Sequence, residues 1–193
     1  MTTIATVPVS TPATLNELSG SYSVDSTHTR IGFVARHAMV TKVRGGFNEF
    51  EGYLVIDGAD LAASRAALTI EASSIDTRNA DRDGHLRSND FLGMEEFPQI
   101  AFVSTGVRQT GATTLELSGD LTIKGVTNSV TVPFDFEGGA TDPFGNERIG
   151  FEGSVSISRK DYGITWNAAL ETGGVLVSDK IVLEFEVSAI RNA

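Results

Sequence analysis

The stretch Thr114–Glu137, TLELSGDLTIKGVTNSVTVPFDFE, decides the fold class. Leu115, Leu117, Gly119, Leu121 and Ile123 alternate with Thr114, Glu116, Ser118, Asp120 and Thr122. Beyond Lys124-Gly125, Val130, Val132, Phe134 and Phe136 alternate with Ser129, Thr131, Pro133, Asp135 and Glu137. A period of two puts one set of side chains on each face of a strand, so these are antiparallel strands with one apolar and one wet face. A helix would scatter the same residues around a cylinder. The pattern returns at Ile149, Phe151, Gly153, Val155 and Ile157, and again at Ile181, Leu183, Phe185 and Val187.

Upstream the alternation is noisier, with strands expected at about Arg30–Ala38, Gly46–Asp57, Arg65–Ser73 and Gln99–Arg108. Reversals are expected at Asp57-Gly58, Gly111, Lys124-Gly125 and Asp142-Pro143 with Gly145-Asn146. The chain is thus all-β with about eight strands. Long strands with one apolar face favour a sheet that closes and removes its edges, and a two-sheet sandwich is the alternative that periodicity leaves open. One polar segment breaks the rhythm: Asp76–Phe91, DTRNADRDGHLRSNDF, where Asp83 and Arg87 at i,i+4 suit a turn or two of helix.

The 193 residues suit a single domain, and Val, Ile and Thr make up about a quarter of them. A net charge of −10 without a Lys/Arg cluster argues against a nucleic-acid partner. Cysteine is absent, which excludes disulfides and a thiol nucleophile. No run approaches the ~18 apolar residues of a membrane-spanning helix. Residues 1–19 are Thr- and Pro-rich with no basic residue, so they are expected to form a mobile tail before a domain at 20–193. They lack the charged start and apolar run of a secretory leader, and a cytoplasmic location is therefore expected.

Mid-strand Gly119 and Gly153 fall on the apolar phase, where they either allow a bend or leave room for a guest. The three histidines, His28, His37 and His85, match no metal-ligand spacing, so no metal is expected. Asp25-Ser26-Thr27-His28 contains triad residue types, but neighbours on a strand point to alternate faces. Asp81/Asp83 and Glu95/Glu96 lie in polar segments and read as solvated, and Gly45-Gly46 lacks the context of a phosphate loop.

A resemblance extends this reading. Tyr22-Ser23-Val24-Asp25-Ser26-Thr27-His28, Ser74-Ile75-Asp76-Thr77, Arg82-Asp83-Gly84-His85-Leu86-Arg87-Ser88 and Phe97-Pro98 occur in chain order. Gly119-Asp120-Leu121-Thr122-Ile123-Lys124-Gly125-Val126-Thr127, Arg159-Lys160-Asp161-Tyr162-Gly163-Ile164 and Val177-Ser178-Asp179 follow. In this order they resemble the YceI-like, polyisoprenoid-binding family across nearly all of residues 21–190. The resemblance implies an extended, eight-stranded, lipocalin-like antiparallel barrel with one short helical insertion. It also implies a non-enzymatic protein that binds, stores or carries a long apolar lipid, of polyisoprenoid or isoprenoid-quinone type, and that pairs as a homodimer.

On that footing the apolar wall is expected at Phe33, Phe102, Leu117, Leu121, Val132, Phe134, Phe136, Phe151, Ile157, Trp166, Leu183 and Phe185. A polar head would meet His37, Arg82, His85, Arg87 and Arg159 at the barrel mouth, since cationic donors suit phosphate or quinone oxygens. Salt bridges to Asp81, Asp83 and Asp90 are the competing role for those cations. The alternative function is an enzyme acting on a bound lipid or quinone with His85 or His37 as acid/base.

Overall fold

The computed structural model describes residues 11–193. Strands form at β1 (Ser19–Val24), β2 (Arg30–His37), β3 (Thr41–Phe47), β4 (Phe50–Asp57), β5 (Arg65–Glu71) and β6 (Ile75–Asp76). After helix α1 (Ala80–Arg87) come β7 (Gln99–Gln109), β8 (Thr114–Ile123), β9 (Val126–Thr141), β10 (Glu147–Ser158) and β11 (Lys180–Arg191). The strand expected at Gly46–Asp57 is in fact two, because Asn48 and Glu49 break it.

All of these strands join one antiparallel sheet, in which β4, β5, β7, β8, β9, β10 and β11 follow one another and β1 joins β11 to β4. Three staves of the barrel are composite, one of them β5 continued by β6, which pairs with β3 as β5 does with β4. β1 and β2 lie end to end along β11, with Val24 opposite Ala189 and Arg30 opposite Glu186. β3 and β4 likewise lie end to end along β2 and β1. The result is a closed eight-stave barrel, in which β9 and β10 pair between Phe134–Thr141 and Glu147–Gly153 and separate beyond. The sandwich alternative is thereby excluded.

Local chemistry sets the reversals. Lys124 and Gly125 both take positive φ, 50° and 74°, the paired left-handed geometry that suits a two-residue hairpin. Asp142 closes the β9–β10 turn by accepting hydrogen bonds from the N–H of Phe144 and of Asn146, each 2.9 Å. Helix α1 falls inside the polar segment, and the Asn79 side chain caps it by accepting from the Arg82 N–H at 2.9 Å. Its Asp83 is buried and accepts from the Thr77 N–H (2.9 Å) and hydroxyl, which ties the helix to β6.

Of the tail expected over residues 1–19, residues 1–10 lie outside those described, and the part after them includes packed side chains. Leu15 and Leu18 are each 1% exposed, around a 3-10 turn at Leu15–Glu17. They plug one end of the barrel together with Phe136, Ile149, Phe151 and Ala189. Gly58 permits this seat: a Cβ there would meet the Asn16 carbonyl at 2.7 Å. At the same end Arg148 bridges Asp25, in the β1–β2 break, and Asp142, in the β9–β10 turn.

Both carboxyls are held well below the usual range. Asp25 is held chiefly by the Thr27 hydroxyl, with Arg148, His28 and the Thr27 N–H adding to it against the effect of burial. Asp142 is held chiefly by the Asn146 amide, with Arg148 and the backbone N–H groups of Asn146 and Phe144. Because both folded-state values lie below the unfolded ones, their contribution is complete above about pH 4 and is lost as the pH falls below it. Arg148→Gln should therefore lower the melting temperature by several degrees at neutral pH. The gap from the wild type should narrow in acid, and a gap independent of pH would show that the cluster is not what Arg148 stabilises.

Candidate functional site

The barrel encloses a cavity of about 230 Å³ with an almost wholly apolar wall. Of the residues expected there, Phe33, Phe102, Leu117, Leu121, Val132, Phe134, Ile157, Leu183 and Phe185 line it. Three do not. Phe136 is buried in the plugged end, and Phe151 lines a second cavity of about 80 Å³ beside Leu15 and Leu18. Trp166 lies over α1, its ring 4.6 Å from that of His85 and 5.4 Å from that of Phe91. The phase was right for Phe136 and Phe151, but a single stripe along a long barrel serves two compartments.

Leu54, Ala66, Leu117, Phe134 and Val187 line both cavities and so form the constriction between them. Sequence reading missed Ile31, Phe47, Leu68, Ile100 and Leu86, which complete the wall of the larger one. The strands among these belong to the noisier half of the chain. Their inward phase follows from cross-strand register, such as Ile31 opposite Phe47 and Ile70 opposite Ile100.

The inward glycines hold the cavity's aromatic rings against its wall. A Cβ at Gly153 would meet the Phe134 ring and the Pro133 carbonyl, both at 2.6 Å, and one at Gly45 would meet the Phe33 ring at 2.5 Å. Phe102 covers Gly119 in the same way. At Gly119 the bend reading also has support, since the β7–β8 register shifts between Ser104 and Gly106, across from it. The space that these glycines leave is thus filled by their neighbours' rings, which keeps large side chains out of the lumen.

The expected head-group residues do not converge on one point. Arg82 donates to the Thr77 hydroxyl (2.7 Å) and carbonyl (2.9 Å), and Arg87 to the carbonyls of Ser73 (2.8 Å) and Ile75 (3.0 Å). His85 bonds Asp90 through Nε2 at 2.8 Å. His37 is exposed at the end of β2. These contacts are structural ties at the α1 end of the barrel.

Arg159 is different. It is 4% exposed, lines the cavity, and forms no salt bridge among the described residues. Its Nε donates to the Ser178 carbonyl (3.0 Å), and one terminal nitrogen donates to the carbonyls of Ile164 (2.9 Å) and Trp166 (2.8 Å). The other terminal nitrogen reaches only the Val177 carbonyl, at 3.4 Å, so one of five N–H donors has no acceptor among the described residues. Three residues on, Tyr162 lines the same cavity at 1% exposure. The neighbouring Asn128 amide donates to the Asp161 carbonyl (2.9 Å), and the Tyr162 hydroxyl has no hydrogen-bond partner among the described residues.

Two buried donors without acceptors among the described residues, on an otherwise apolar wall, are the polar points that a guest's oxygen would meet. Tyr162 belongs to the Arg159–Ile164 motif, but a lone Tyr in a polar run carries no periodic signal that would assign it to the cavity. Among the described residues no cluster of three or more His, Cys, Asp or Glu could hold a metal ion, and no helix is long and apolar enough to cross a membrane.

Relatives share this architecture. The chain is 41% identical over 169 residues to a UPF0312 protein of Staphylococcus epidermidis, covering 87% of this chain and 95% of that one. The crystal structure of a Campylobacter jejuni YceI protein superposes with a TM-score of 0.71 at 27% identity, covering 82% and 90% of the two chains. A polyisoprenoid binding domain from Saccharophagus degradans, implicated in plant cell wall breakdown, superposes with a TM-score of 0.67 at 18% identity, covering 89% and 98%. The YceI-like domain profile matches residues 22–189, and on that match the chain belongs to the YceI-like family.

Proposed function

We propose that this protein binds and carries an apolar chain lipid, of isoprenoid type, without chemically changing it. The observation that supports this most is the apolar cavity with two unpaired donors, Arg159 and Tyr162, at its wall. Burial supplies the affinity, at roughly 0.8 kcal/mol per methylene, offset by the ordering of a flexible chain. The two donors supply selection for a chain that ends in an oxygen acceptor, such as a hydroxyl, carbonyl or phosphate. The polyisoprenoid-binding domain with the same fold favours the isoprenoid class.

An apolar cavity of about 150 Å³ holds a benzene-sized guest, and drug-sized sites start at roughly 300 Å³. The larger cavity, at about 230 Å³, therefore suits a short or partly inserted chain. A longer one must also take up the second cavity beyond the Leu117–Phe134 constriction.

The test is organic extraction of purified protein with mass spectrometry, followed by thermal melts of the delipidated protein with added farnesol, before and after chelation. A saturating isoprenoid should stabilise the fold by roughly 2.7 kcal/mol at a hundredfold excess over Kd. For a chain of this size that is about 5–10 °C. Failure of the melt to rise, or conversion of the lipid to a new product, overturns the reading. A shift abolished by chelation and restored by zinc or iron would make the histidines metal ligands instead.

A further inference from the structure

The β2–β3 hairpin sets cations and apolar side chains together at one end of an acidic protein. Ile31, Phe33 and Ala35 line the cavity from β2, so the strand's alternation turns Arg36 outward, where it is exposed. Lys42 and Arg44 are exposed on β3, and Lys42 stands directly opposite Arg36. Like charges facing across a ladder are destabilising. None of the three forms an ion pair among the described residues. Residues 36–44 contain no Asp or Glu, although the whole chain carries 25 acidic and 15 basic residues.

The hairpin tip adds apolar surface. Ala38 and Met39 take left-handed backbone conformations at φ 50° and 59°, in a turn where Asn-Gly would be the relaxed choice. Met39 is 54% and Val40 76% exposed. Val175, 40% exposed, lies on the adjoining segment, which is held to the hairpin by the Ala38 N–H donating to the Leu176 carbonyl at 2.7 Å. The same hairpin forms cavity wall on its inner side through Phe33, Ala35 and Phe47.

We propose that this hairpin docks its end of the barrel onto an anionic phospholipid bilayer. Met39, Val40 and Val175 enter the headgroup region while Arg36, Lys42 and Arg44 pair with lipid phosphates. Exposed apolar side chains ringed by cations are the composition of an interfacial membrane contact. The charge balance of −10 opposes approach only at short range, because the Debye length is about 8 Å at physiological salt. In contact, each cation near an anionic surface strengthens binding about fivefold. Docking goes beyond the carrier reading and does not depend on what the cavity holds; its use to a carrier is to place the cavity wall beside a lipid reservoir.

Sedimentation with phosphatidylcholine vesicles, with and without phosphatidylglycerol, tests this on the full chain. The wild type should sediment only with the anionic vesicles, and added salt should release it. R36E/K42E, or R36Q/K42Q if the first pair disturbs the circular dichroism, should weaken partitioning more than tenfold. M39S/V40S should weaken it several-fold with the fold intact. Phe144, 90% exposed in the β9–β10 turn at the opposite end, is the control, and F144S should bind as the wild type does.

Absence of sedimentation, equal binding to neutral vesicles, or undiminished binding by the hairpin variants would overturn the proposal. So would a loss in F144S, or a change of oligomeric state in M39S/V40S with vesicle binding unchanged, which would make the tip a contact between copies. Failure of the isoprenoid melt with vesicle binding retained would remove the carrier reading and leave this one standing.

Discussion

Arg159→Ala should destabilise the barrel by about 3–5 kcal/mol, because it strands buried carbonyls and not merely a charge. The side chain is 4% exposed and reaches the carbonyls of Ser178, Ile164 and Trp166. Those carbonyls belong to the segment between β10 and β11, which has little regular structure of its own and is held by this fork together with the Asn167 side chain. Each buried acceptor left unmet costs about 1–3 kcal/mol, and truncation also opens space beside the cavity.

Burial tends to deprotonate the guanidinium, and the nearby Asp179 charge opposes it. Arg stays ionised regardless, so its worth lies in the geometry of its donors. Lys, with three donors on one atom, should recover only part of the loss. Urea unfolding of wild type, Arg159→Ala and Arg159→Lys measures this. A cost for Ala below about 1 kcal/mol would mean that the segment holds itself in place.

Leu117→Trp should abolish binding of a fluorescent isoprenoid probe, a loss of at least a hundredfold, while the strand signal in circular dichroism is kept. Leu117 lines both cavities, so an indole there fills the constriction and takes volume from each side. The displaced guest loses several methylenes' burial, and three of them at roughly 0.8 kcal/mol already exceed a fiftyfold change. Gly153→Phe is a poorer test despite its inward phase. The Phe134 ring and the Pro133 carbonyl already stand 2.6 Å from where its Cβ would be, so the substitution would break the strand pair before it filled the lumen. Unchanged probe affinity in a folded Leu117→Trp protein would place the site outside the barrel.

Strand identity and the inward phase were legible from β8 onward because one face of each strand is apolar and the other wet. The turns at Lys124-Gly125 and Asp142–Asn146 were legible for a related reason: few residues tolerate that backbone. Upstream, the signal weakened where a stave is built from two pieces. The break at Asn48-Glu49 and the insertion at residues 25–29 leave no mark on hydropathy, since each is defined by the neighbouring strand that it pairs with. The short polar helix was visible as a gap in the alternation, yet its tie to β6 through Asp83 and Thr77 required the two to meet in space.

Period-two chemistry along the chain is a local property, and it was enough to establish an all-β fold and to anticipate part of the cavity wall. Which inward residues line the larger cavity, which line the smaller one and which plug the end depends on height along the barrel, and strand pairing sets that height. The role of the cations likewise came only from packing. Arg82, Arg87 and Arg159 are the same residue type in polar surroundings, and nothing local distinguishes them. Arg159 alone is buried at the cavity wall with a donor to spare, three residues from an unpaired Tyr162 hydroxyl, because β10 ends there and the segment after it folds back over the lumen.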